Sequence, residues 1–91
     1  SAATSGNTLT EYRNYTTDTS SAAYSITLPQ SPVLGAQIRV MDAAGTWATN
    51  NLTVQRNGEK IAGAANDLVC NVNNATVNLT YSGSTVGWLV K

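Results

Sequence analysis

Histidine and phenylalanine are absent from these 91 residues, cysteine occurs once and proline twice. Without histidine there is no Ser-His-Asp or Cys-His pair and no ordinary zinc site. The single cysteine, Cys70, rules out a disulfide within the chain. It lies in an apolar alternation with no cation beside it in sequence, the setting of a buried, inert thiol rather than a nucleophile. Charge is scarce too. Only 11% of the residues are charged, five basic and five acidic, against roughly 25% in ordinary soluble domains. No basic patch is available to neutralise phosphates, so nucleic acid is not an expected partner. No apolar run approaches the about 20 residues of a membrane helix, and no charged start leads into an apolar stretch as in a signal peptide. Neither membrane insertion nor a bound cofactor or metal is expected.

What is present is small, polar and periodic. Ser, Thr and Asn make up about a third of the chain, beside 42% hydrophobic residues. A domain this short buries only about 60–65% of its unfolded surface. With no disulfide or metal to help, oligomerisation is the expected further source of stability. Near-zero net charge gives little self-repulsion between copies.

From Ala22 the alternation is regular. Ala22, Tyr24, Ile26 and Leu28 share one face, and Pro29 and Pro32 end the run. Ala36, Ile38 and Val40 define a second strand, Asp42 to Gly45 a turn, and Thr46 to Thr49 a short extended piece. Leu52 and Val54 precede Asn57-Gly58, a strong hairpin signal that predicts a return strand over Lys60–Ala62. Asp67–Val72, Ala75–Tyr81 and Val86–Val90 complete the pattern. About seven or eight short strands without a helix predict an all-β fold, a small antiparallel sandwich or barrel of jelly-roll type over residues 22–91. Residues 1–21 have few apolar positions and read as an extended N-terminal arm, free for intermolecular contact.

No catalytic constellation emerges. Glu11, Asp18, Asp42, Glu59 and Asp67 fall mostly in predicted turns or in the arm, where carboxylates accept backbone N–H bonds; a glycosidase-like pair would require two of them to converge. The Asn-x-Thr sequons at Asn14, Asn51, Asn74 and Asn78 are what an Asn- and Thr-rich chain produces by chance. Tyr12 and Tyr15 in the arm and Trp88 in the last strand are candidate contacts to another subunit or shell. Trp47, with Asn50 and Asn51 in the next turn, is a candidate sugar-stacking site. Arg13, Arg39, Arg56 and Lys60 read as scattered strand-surface or edge charges.

Several pieces occur in a recognisable order: Ile26-Thr27-Leu28-Pro29, Asp42-x-x-Gly45-Thr46-Trp47, Asn51-Leu52-Thr53-Val54-x-Arg56-Asn57-Gly58, Asp67-Leu68, Ala75 to Tyr81, and Gly87-Trp88. Together they resemble a small β-module of tailed-bacteriophage virion proteins, found in decoration proteins, head fibres and tail fibres, usually as trimers. The resemblance covers about three quarters of the chain, with Trp47 where the family places Phe. It implies a structural virion protein on the outer surface of a phage particle, partnered by its own copies as a homotrimer and by the major capsid protein or another virion protein. Because the module fills nearly all 91 residues, capsid decoration or a head fibre is the first expectation, if that length is natural. The alternative is the receptor-binding tip of a tail fibre, touching a host surface glycan. The resemblance carries no catalytic residue, and no enzymatic activity is expected.

Overall fold

Alternating burial places each strand in its layer. In the computed structural model, which describes residues 1–91, seven strands and no helix form two facing sheets. The strands are β1 (Arg13–Thr17), β2 (Tyr24–Thr27), β3 (Gln37–Asp42), β4 (Leu52–Gln55), β5 (Leu68–Cys70), β6 (Thr76–Tyr81) and β7 (Trp88–Val90). One sheet has the order β1-β3-β6-β7 and the other β2-β4-β5. Ile38, Val40, Leu79, Tyr81 and Trp88 from the first sheet meet Ile26, Leu52, Val54 and Cys70 from the second in one buried cluster. The fold is a small all-β sandwich, as the periodicity predicts.

The expected antiparallel arrangement holds only in part. The β3–β6, β6–β7 and β4–β5 pairs are antiparallel, whereas β1–β3 and β2–β4 are parallel. The reason is the path of the chain. The first four strands alternate between sheets, so strands of one sheet are separated by an excursion to the other and return in the same direction.

The largest departure is the N-terminal segment. Residues 1–21 are not a free arm, and the boundary at Ala22 does not divide the structure. β1 pairs along its whole length with β3, and Ala3, Leu9, Tyr15, Thr17 and Thr19 are buried. Ser1–Ala3 lie along the outer edge of β1 (Thr16 N–H to Ser1 O and Ala3 N–H to Thr16 O, each 2.8 Å). The chain then crosses to the outer edge of β2, where Leu9 N–H reaches Thr27 O at 2.7 Å. Backbone hydrogen bonds, which need no apolar side chains, hold this segment in place.

The Asn57-Gly58 turn also differs from expectation. Both residues have positive φ, 50° and 88°, as a type I′ turn requires. The chain beyond does not return along β4, which pairs with β5 instead. Lys60–Gly63 cross to the other sheet and bond to its edge, with Trp88 N–H to Lys60 O and Ala62 N–H to Trp88 O at 2.8 Å each. Thr46–Thr49, expected to be extended, is largely turn. These excursions cover the edges of β1, β2 and β7. The outer edge of β5 has no backbone partner.

Candidate functional site

Several of the residues singled out by sequence belong to the core. Trp47 is fully buried, its indole N–H donating to Thr17 Oγ1 at 2.9 Å, so it offers no stacking face to a sugar. Asn50 is tied inward by its side-chain amide, which donates to Thr19 O at 2.8 Å. Asn51 is exposed, but the platform it was to share does not exist. Trp88 is fully buried against Tyr81, with ring centroids 5.4 Å apart. Tyr15 is buried, its hydroxyl accepting the Thr10 N–H at 2.7 Å. Neither Trp88 nor Tyr15 can therefore meet a partner from its present position. Tyr12 alone of the contact candidates lies open, 65% exposed.

Trp47 turns inward because of Asp42. This buried carboxylate accepts four backbone N–H bonds: from Gly45 and Thr46 at Oδ1 (2.9 and 3.1 Å), and from Trp47 and Asn74 at Oδ2 (3.2 and 3.0 Å). Burial works to raise its pKa, but the four bonds outweigh it and hold the group below the ordinary aspartate range. Asp42 is thus a clamp joining two turns.

The other carboxylates are engaged in similar ways. Glu11 accepts from Val33 N–H, Asp18 from Ser20 N–H, Asp67 from Arg56 N–H, and Glu59 from the Tyr81 hydroxyl. No group of three His, Cys, Asp or Glu side chains is placed to hold a metal ion. Burial raises the Cys70 thiol to about 11, which leaves little thiolate at neutral pH.

A concavity lies on the outer face of the four-stranded sheet. It is an open groove of about 420 Å³, lined by Tyr12, Arg13, Asn14, Gln37, Arg39, Asn78, Thr80 and Lys91 together with the margins of Ile38 and Leu79. Strand register builds it. Asn14 lies opposite Arg39, Arg39 opposite Asn78, and Asn78 exchanges two backbone bonds with Lys91, giving one row across the sheet. A second row runs through Tyr12, whose N–H donates to Gln37 O, then Gln37, Thr80 and Leu89. Sequence reading placed Arg13 and Arg39 as scattered charges. Arg39 has outward parity on β3, whereas Arg13, opposite Ile38 and in phase with buried Tyr15 and Thr17, lines the groove from the start of β1; their convergence depends on strand order.

No protein-family model and no curated protein matches this sequence.

Proposed function

We propose that the chain is a non-catalytic structural module of a tailed-bacteriophage virion, a capsid decoration or head-fibre unit that associates with its own copies. The observation that carries this reading is the use the fold makes of the pieces behind the resemblance. Asp42, Gly45, Thr46 and Trp47 form the clamped turn. Asn57 supports its own turn by donating from its side chain to Leu28 O. Gly87 passes so close to Lys60 that a Cβ would overlap its carbonyl oxygen. Each has a role in holding a scaffold.

Self-association finds support at β5. Its outer edge is unpaired, and Val69 and Val72 are 51% and 63% exposed. Residues 66–72 include a single charge, Asp67, and no Pro or Lys of the kind that blocks strand addition. A second copy docked there would cover both the open backbone groups and the valines.

Sedimentation velocity at micromolar concentration, with immunogold labelling of particles from the phage that encodes the chain, tests this reading. A trimer dissociated by Val69→Lys, with gold on the particle surface, is the expected result; a folded monomer absent from particles refutes it. The second reading, a receptor-binding role on a fibre, draws support from the polar groove.

A further inference from the structure

The groove gathers positive charge from a chain that has little. Three of the five basic residues, Arg13, Arg39 and Lys91, line it, and none of the five acidic residues does. Charges distributed for solubility are interspersed by sign; these are not.

The polar groups around them are also set in place. Arg39 Nε donates to Asn78 Oδ1 at 2.9 Å. That bond fixes the guanidinium plane and leaves the rest of its N–H fork free, the geometry suited to a carboxylate. The same bond points the Asn78 amide donor away from Arg39. Tyr12 has a φ of 60°, uncommon for a non-glycine residue, and its N–H is anchored to Gln37 O at 2.6 Å. Its ring stands at the rim, mostly exposed. The two rows of side chains are about 7 Å apart along the strands, close to the width of one pyranose ring. A volume of 420 Å³ falls within the roughly 300–1,000 Å³ of small-molecule clefts.

We propose that this groove binds an acidic carbohydrate, a pyranose bearing a carboxylate. Arg39 receives the acid group, with Arg13 and Lys91 adding positive potential on either side. Tyr12 packs against the ring, and Asn14, Gln37, Asn78 and Thr80 supply hydrogen bonds to its hydroxyls. A nucleic acid fits less well: it needs a run of phosphate contacts and stacking faces, and the groove offers three cations and one open aromatic ring.

The proposal rests on the surface-recognition reading and leaves the shell-attachment reading untouched. Titration of the isotope-labelled full chain with trigalacturonate, followed by backbone and side-chain amide shifts, tests it. The expected result is saturable perturbation at Arg39, Asn78, Gln37 and Tyr12, weakened by added salt. The methyl ester of the same sugar, which lacks the charge, should bind at least tenfold more weakly. Arg39→Gln and Tyr12→Ala, both on the outer face, should each weaken binding at least tenfold while keeping the parent melting temperature within a few degrees. Equal binding of acid and ester, perturbation elsewhere on the molecule, or unchanged affinity in both variants overturns the proposal. So does inorganic phosphate or free acetate reproducing the same perturbations at the same concentration, since that marks a general anion site. Sugar binding without gold on particles rejects the virion reading alone, and gold without sugar binding rejects the groove alone.

Discussion

Asp42→Asn perturbs the point where three segments of the chain meet. The carboxylate accepts N–H bonds from Gly45, Thr46, Trp47 and Asn74, two at each oxygen. Asparagine keeps one oxygen and presents an NH2 group where the other stood, so two donors lose their acceptor and face a donor instead. Hydrogen bonds to a charged group contribute about 1.5–3 kcal/mol each. Losing two therefore costs on the order of 3–6 kcal/mol. The whole domain is expected to have about 5–14 kcal/mol of stability, so the variant sits near the edge of folding. Its melting temperature should fall by more than about 12 °C.

The pH dependence supplies an independent check on the same group. The folded-state pKa of Asp42 lies below the ordinary value of 3.8. Its contribution is therefore present above that value and is lost as pH falls through the folded pKa. Urea unfolding at several pH values should show the gap between parent and variant wide at pH 7 and narrowing below about pH 4. A loss under about 1 kcal/mol at pH 7, or a gap independent of pH, would refute the clamp.

Two glycines with positive φ separate backbone strain from close contact. At Gly58 a Cβ meets nothing within 4 Å, so Gly58→Ala should cost about 1 kcal/mol. At Gly87 it would meet the Lys60 carbonyl, so Gly87→Ala should abolish the cooperative melt; similar melts for the two would contradict the reading. Deleting residues 1–19 removes β1 and the buried Leu9, Tyr15 and Thr17. Near-UV circular dichroism and the thermal transition should both disappear, and a folded remainder would show that the segment is an accessory. Cys70 should react with iodoacetamide at pH 8 at least about 100-fold more slowly than a free thiol, given its burial and a pKa near 11. A rate close to that of free cysteine would mean the sandwich opens there.

The parts legible in the sequence are those encoded by alternation. β2, β3, β4, β6 and β7 carry apolar residues at every second position, and the chain shows them where that pattern lies. β1 escaped because, of its inward-phase positions Arg13, Tyr15 and Thr17, only Tyr15 is aromatic or apolar. Thr17 is buried by donating to Met41 O and accepting the Trp47 indole N–H, and nothing local announces such a pair. The docking of residues 1–9 joins two small core contacts, Ala3 and Leu9, to backbone bonds that any sequence can make. Trp47 looked like a surface aromatic beside a turn; the Asp42 carboxylate folds that turn inward, and a single chain of letters does not show which donors converge on one acceptor. The groove stayed hidden for a related reason. Arg13, Arg39 and Lys91 lie far apart in sequence, and only the order β1-β3-β6-β7 brings them to one groove.

The positions of the open edge and of the groove have a consequence for both functional readings. β5 belongs to the three-stranded sheet, and the groove belongs to the outer face of the four-stranded one. Copies joined through β5 therefore leave their grooves uncovered, and an assembly presents several at once. A shallow, polar, solvent-open groove binds a single sugar weakly, because each hydrogen bond gained replaces one to water. Linked sites that reach one polymeric glycan raise overall avidity by about 10²–10⁴ without any new contact. Val69→Lys, on the opposite sheet from the groove, should then leave the affinity for trigalacturonate unchanged and sharply reduce retention on immobilised polygalacturonate. Equal retention of parent and variant, with the variant shown to be monomeric, would mean that assembly through β5 and recognition in the groove are not coupled in this way.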